Sequence, residues 1–364
     1  MTEREEEILD IISKNPLIGQ KELAELLGIT RSSVGVHVTN LMKKGYITGR
    51  GYIVNKKPYI CVVGGVNVDI QGFPYGALRP KDSNPGKAMI SLGGVGRNIA
   101  ENLCRMGIKT SLISTLGDDI YGKKVLEEAR AIGLNMQDSL ILPNEATSSY
   151  LSILDETGDM SVAISSMDIY ENMTVEFIQE KKNVIENASL CIVDTNIPKE
   201  VIEYLVINHR DTDYFLDTVS TTKAMKVKDI IGYFHTIKPN KLEAQMLSGI
   251  EITGEEDIKR VLDYFLNRGV KRVFLSMGAE GVYYCDNKNY AHINSPNVKV
   301  VNATGAGDAF VAGAAYGYYN HMDINRTAVF SMAASIMALQ HKNTINPNIS
   351  VDNINKIVKE IEIC

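Results

Sequence analysis

The sequence predicts an α/β fold with a mainly parallel sheet, preceded by a small helical domain. Three observations carry this. The chain has 364 residues, enough for two domains or for one large domain with an appendage. From Pro58 onward, apolar β-branched runs alternate with helical stretches, the pattern of a sheet covered on both faces. The charge is also divided: residues 1–57 carry nine Lys/Arg against seven Asp/Glu, net +2, so the overall −6 leaves −8 for residues 58–364. Every acid of the first segment precedes Thr30, leaving one basic side.

At 45% hydrophobic and 23% charged residues, the composition excludes disordered, collagen-like and disulfide-scaffold classes. No apolar run approaches the roughly 18 residues that span a bilayer, and the acidic opening MTEREEEILD is not a signal peptide. The five cysteines (61, 104, 191, 285, 364) are scattered, without CxxC or Cys/His clusters that suggest zinc. The expectation is a reduced cytoplasmic protein with no membrane partner.

Taken in order, Glu5–Ser13 reads as a helix with Ile8, Leu9, Ile11 and Ile12 to one side, stopped by Asn15-Pro16. Gln20–Leu27 is a second helix with Leu23, Leu26 and Leu27 inward, and Gly28-Ile29 is the turn. Thr30 is the N-cap of a third, Arg31–Lys44, whose inward stripe is Val34, Val38 and Leu41 with Met42. Gly45 ends it, and Tyr46–Arg50 and Tyr52–Val54 read as a short hairpin. This order resembles the winged helix-turn-helix of bacterial transcription regulators. The resemblance implies a DNA-binding domain over residues 1–57. Arg31, Ser32, Ser33 and His37 would face the major groove, and Lys43, Lys44 and Arg50 would face phosphates. The plainer alternative is a three-helix appendage for protein contacts. One such module makes few phosphate contacts, so useful operator affinity calls for a dimer.

In the larger part, candidate strands are Tyr59–Val63, Thr110–Ser114, Leu190–Val193, Tyr214–Leu216, Phe234–Ile237, Arg272–Ser276 and Gly281–Cys285. Helical patterns lie between most of them, as at Arg97–Met106, Lys123–Ile132, Ile258–Asn267 and Ala309–Tyr319. Residues 148–165 alternate like a hairpin, an edge extension or a lid.

The strongest chemical motif is Asn302–Phe310 (NATGAGDAF), which follows the strand-like Val298–Val301 and opens a long helix. Small Gly305, Ala306 and Gly307 let backbone N–H groups crowd an anion at the helix N-terminus. Asp308 sits where the helix dipole favours a carboxylate. It is suited to deprotonating a hydroxyl that attacks a phosphoryl group. On spacing alone, a Gly-rich turn with Asp as helix cap is an equal alternative. No GxxxxGK[ST] occurs, which excludes a P-loop kinase and leaves the phosphates to backbone donors, magnesium and helix dipoles.

GAGDAF resembles the second signature of the PfkB (ribokinase-like) sugar and nucleoside kinases, and four more segments agree in that family's order. Gly64–Asp69 (GGVNVD) resembles the segment whose carboxylate, here Asp69 beside Asn67, binds substrate hydroxyls. Gly93–Asn98 (GGVGRN) resembles the first signature, in which Gly93 and Gly94 admit the sugar and Asn98 bonds a hydroxyl. Asn240–Glu243 resembles the NxxE motif, which organises magnesium and phosphate, Glu243 acting on Mg2+ indirectly. Ser276–Gly278 with Gly281 resembles the loop over the nucleotide. Read singly, each is weaker: Asp69 could cap a strand, Asn240 and Glu243 a helix, and Gly278 and Gly281 could be turn glycines. GGVGRN departs from a dinucleotide fingerprint at Asn98. Together they span about residues 58–350. They imply a ribokinase-like three-layer α/β/α sandwich with a small β lid over 58–364, using ATP and Mg2+.

Asp82–Gly86 (DSNPG), Gly93–Asn102, Ser148–Ser152, Lys238–Glu243, Leu275–Gly278 and Asn302 resemble the pseudouridine-kinase branch of that family. The implied reaction moves the γ-phosphoryl of ATP to the nucleoside 5′-hydroxyl. Asp308 is the base, Gly305–Gly307 stabilise the transferring group, and Asn84 or Tyr150 touches base or ribose. Asn302, with Thr304, marks a monovalent-cation position where most of the family has Asp, so the loss of charge weakens K+ binding. Lids of the family can pair into homodimers, which would bring two DNA readers together. The N-terminal domain departs from ordinary members of the branch, which begin near Pro58. Two alternatives stay open. One is a different substrate, such as adenosine, inosine or ribose; the other is a nucleoside-sensing regulator with little kinase activity. Intact Asp308 favours the enzyme.

Overall fold

A computed structural model describes residues 1–49 and 59–363. The chain divides into two compact units, Met1–Pro58 and Tyr59–Cys364. In the first, α1 (Glu3–Lys14) opens with a capping box: Thr2 Oγ1 accepts from Glu5 N–H, and the Glu5 carboxylate accepts from Thr2 N–H. Helix α2 (Gln20–Leu27) ends at Gly28 with φ 63°, a left-handed turn that glycine adopts without steric cost. Helix α3 (Arg31–Lys43) begins at Thr30, whose Oγ1 accepts from Ser33 N–H at 3.1 Å. Ile8, Ile12, Leu23, Val34, Leu41 and Ile47 form the core. Leu26 and Met42, expected inside, are 63% and 46% exposed, because short helices bury only a narrow stripe. The remainder of the expected hairpin, from Arg50 to Val54, lies outside the described residues.

The second unit has strands β1 (Ile60–Val63), β2 (Asn67–Pro74), β3 (Gly86–Gly93), β4 (Thr110–Ile113), β5 (Thr115–Gly117), β6 (Leu140–Leu142) and β7 (Ser149–Leu154). It continues with β8 (Met160–Ser166), β9 (Leu190–Asp194), β10 (Tyr214–Asp217), β11 (Thr236–Ile237), β12 (Arg272–Ser276), β13 (Val282–Asp286) and β14 (Tyr290–Ile293). The main sheet runs β14-β13-β12-β11-β10-β9-β1-β4. It is parallel from β12 to β4, with an antiparallel edge of β13 and β14. Both faces are covered: Ile60 and Val62 enter one core, Cys61 and Val63 the other. That double burial is why the strands read as continuous apolar runs. No helix among the described residues is long and apolar enough to cross a membrane.

Two expectations change. The lid is a four-stranded sheet, β3-β2-β7-β8, in which the hairpin over 148–165 supplies only half. Val298–Val301 is an irregular segment, not a strand. Val300 and Val301 are 56% and 52% exposed, and the sheet edge is already closed by β14, so β-branched propensity finds no neighbour to pair with.

Candidate active site

The functional groups gather at the carboxyl ends of the parallel strands, where open α/β sheets bind ligands. After β1, the loop Gly64–Val66 is pinned from three sides. Asp194, ending β9, accepts from Gly65 N–H at 2.7 Å; Ser114 donates to Gly64 O at 2.7 Å; and the Tyr170 hydroxyl bonds both N–H and C=O of Val66. Helix α4 (Val95–Arg105) starts against this loop. A Cβ on Gly94 or Gly96 would overlap its backbone, and one on Gly93 would overlap the Asp69 carboxylate. These are the glycines of the first signature, and they serve close backbone approach. Asp69 accepts from Asn67 Nδ2 at 2.6 Å, and burial holds its carboxyl above the usual range.

Helix Ala306–Tyr319 enters from the other side. Gly305 precedes it with φ 85°, packed so that a Cβ would overlap Thr344 O. Among the described residues, no partner is found for the N–H groups of Gly305, Gly307 and Asp308, which leaves an open helix N-terminus. Asp308 is buried and accepts from Asn98 Nδ2 at 2.7 Å. Burial, then the nearby Asp217 carboxylate, push its pKa up to about 7, against the opposing effects of Asn98 and Lys238. The opposite end of the same amide, Asn98 Oδ1, is buried with no partner. That atom is an acceptor in need of a donor beside a base.

Lys238, which the sequence reading named only as the start of the Lys238–Glu243 segment and gave no site role, stands here. Its Nζ is 3.9 Å from Asp217 Oδ2 and would lie 2.8 Å from a Cβ placed on Gly307. With Asn240, Ser276, Gly278, Gly281 and Gly307, it lines a cavity of about 630 Å³ whose lining also includes the apolar Val282, Val298, Phe310, Met332 and Ile336. The missed signal was Lys238 itself, a cation at a parallel strand end. Asn240 and Glu243 form a full capping box on helix Lys241–Ser248. Glu243 Oε2 also accepts from Thr218 Oγ1 at 2.7 Å, while Oε1 accepts from none of the described residues. Asp217 ends β10, Thr218 follows it, and the next residue, Val219, has φ 59°, a strained conformation for a β-branched side chain.

The remaining expected residues lie in and beside the lid, in the loop before helix Ala306–Tyr319 and on or after α3. All three hydrogen bonds of Asn84 close its own loop, to Arg79 and Asp82. Tyr150 is the register neighbour of Asp69 across β2 and β7. Asn302 accepts from Thr304 N–H and donates to Lys342 O, so its amide holds the loop. In the first unit, Arg31, Ser32 and Lys43 are exposed on α3 together with Val36 and Thr39, which the sequence reading did not single out. The Ser33 hydroxyl turns to Thr30, His37 is half-buried, and Lys44 pairs with the buried Glu5 carboxylate at 2.7 Å. Arg50 lies outside the described residues.

Comparison with known proteins agrees with this geometry. The family model for pfkB carbohydrate kinases matches residues 57–351, and that for a winged helix-turn-helix DNA-binding domain matches residues 1–48. A pseudouridine kinase of Escherichia coli (strain K12) is 40% identical over 85% of this chain and 99% of its own length. The sugar kinase YeiI of the same strain, itself uncharacterized, is 35% identical over 98% of this chain and 99% of its own. The fold is also that of the Arabidopsis thaliana ribokinase solved with ribose and ATP, with a TM-score of 0.70 at 20% identity, covering 84% of this chain and 99% of that one. This chain belongs to the pfkB family of carbohydrate kinases.

Proposed function

We propose that the protein transfers the γ-phosphoryl group of ATP to the 5′-hydroxyl of a nucleoside, and that the nucleoside is pseudouridine. The observation that carries the reaction is the Asn98–Asp308 pair: a base held near neutrality by burial, and beside it an acceptor awaiting a substrate hydroxyl. Asp308 takes the 5′-hydroxyl proton as that oxygen attacks. The open N–H groups at Gly305–Gly307 and the Lys238 ammonium stabilise charge on the transferring group. Asp69 and Asn67 hold ribose hydroxyls. The apolar lining of the 630 Å³ cavity takes the adenine of ATP, with Asn240, Ser276, Gly278 and Gly281 beside its phosphates.

Magnesium fits this donor set. It keeps most of its waters and takes one or two carboxylates plus phosphates, and Glu243 offers one free carboxylate oxygen. When bound, Mg2+ neutralises charge on the phosphates. Asn302 is neutral and its amide is engaged, so K+ is not required. The substrate rests on the segments shared with the pseudouridine-kinase branch and on the 40% identity to a pseudouridine kinase. Residues 1–57 bind an operator as part of a homodimer that pairs through the apolar lid face of Ile70, Ile90, Leu151 and Ile164.

Coupled turnover with pseudouridine, uridine, adenosine, inosine, ribose and fructose 6-phosphate, in potassium and in sodium buffers, tests the reading. Selective phosphorylation of pseudouridine at equal rate in both salts is expected. Selectivity for another substrate would keep the family and discard the branch. ATP binding without any turnover would make the protein a sensor.

A further inference from the structure

The lid carries polar groups that the proposed reaction leaves unused. Along β2, Asn67, Asp69 and Gln71 alternate onto one face. The ladder sets Gln71 beside Ser152 just as it sets Asp69 beside Tyr150. Register neighbours project to the same side, so Asp69, Tyr150, Gln71 and Ser152 form one polar patch. The opposite face, with Ile70, Leu151 and Ile164, is apolar. Within the patch, the Gln71 carboxamide makes no hydrogen bond to any described residue. Ser152 is 2% exposed, and its hydroxyl is also without a partner. Buried polar groups without partners are rare in folded proteins unless water or a ligand completes them.

We propose that Gln71, with Ser152 beside it, reads the base of the nucleoside, and that the base presents an adjacent N–H donor and C=O acceptor. The inference rests on the nucleoside-kinase reading above. Two residues along a strand is about 6.7 Å, so Gln71 lies one step beyond Asp69, outward from the ribose hydroxyls. A planar carboxamide offers a donor and an acceptor side by side, which an amide edge of a pyrimidinedione matches with two hydrogen bonds. Tyr150, beside Asp69 on the same face, supplies a ring face for the base. A free sugar leaves Gln71 and Ser152 unmatched, and a site built to hydrogen-bond discriminates strongly against such a ligand.

Steady-state kinetics of the full chain with pseudouridine, its N1-methyl and N3-methyl derivatives, and ribose test this. Methylation blocks one edge at a time, and the wild type is expected to discriminate about tenfold against one of the two. Gln71→Ala should raise KM for pseudouridine about tenfold, keep kcat within twofold and lose that discrimination. Ser152→Ala should raise KM by a smaller factor. An unchanged KM in Gln71→Ala, retained discrimination, or an equal loss with ribose would overturn the assignment. If the wild type phosphorylates ribose and no nucleoside, the underlying reading fails too. If nucleoside turnover persists while Gln71→Ala is silent, only this inference fails.

Discussion

The proposed reaction concentrates its proton transfer at one carboxyl group, that of Asp308. It must lose its proton before it can accept another, so turnover requires pH near or above its pKa, which burial raises to about 7. The kcat/KM profile should therefore show an acid limb near pH 7, rising with pH. Asp308→Asn should lower turnover by about 10³-fold or more while leaving ATP binding measurable by calorimetry. A profile flat from pH 5 to 8 would remove Asp308 from the role of base. In the proposed reaction Lys238, at a strand end and 3.9 Å from Asp217, takes the part a P-loop lysine plays elsewhere.

At the scale of the element, the N-terminus of helix Ala306–Tyr319 works because nothing projects from Gly307. Gly307→Ala would set a methyl 2.8 Å from Lys238 Nζ, the far end of a flexible chain, so the fold should hold while the ammonium is displaced. The expected result is a KM for ATP raised several-fold with little change in Tm. A fall in Tm of many degrees would show that the backbone had moved instead. The same helix shows what a sequence discloses. The turn at Gly305 and the helix that opens after it were legible from local sequence, whereas Asp308 as base was preferred over Asp308 as cap only through the family resemblance. Asn240 and Glu243 supported two readings: the structure shows the helix cap, and the carboxylate oxygen left without a partner among the described residues keeps the magnesium role a proposal. Lys238 was illegible because its partner Asp217 lies on a different strand. Strands β2 and β3 were missed because β3 carries mostly exposed residues, and the neighbour that gives β2 its place, β7, is remote in sequence.

For the whole molecule, the two units carry opposite net charge, +2 and −8. Only part of the basic face of the first is free, since Lys44 is engaged by Glu5. If the proposed dimer binds an operator, Arg31 and Lys43 from two copies would neutralise about four phosphates, for an expected slope of log K against log salt of about −3.6 on duplex DNA, and Arg31→Ala should reduce its size by about 2. Fluorescence anisotropy with an operator fragment between 50 and 200 mM salt measures both, and salt-independent binding would assign the first unit to protein contacts. The raised pKa of Asp308 also reaches the stability of the fold. A carboxyl whose folded pKa lies above its unfolded value is neutral in both states at low pH. Its contribution is complete below the unfolded pKa and is lost as pH rises toward 7. At pH 8, the charged base therefore works against the fold that houses it. A mutant library sorted only for heat resistance at alkaline pH would collect inactive proteins changed at position 308. The same library sorted below the ordinary carboxyl pKa of 3.8 would give that position no advantage.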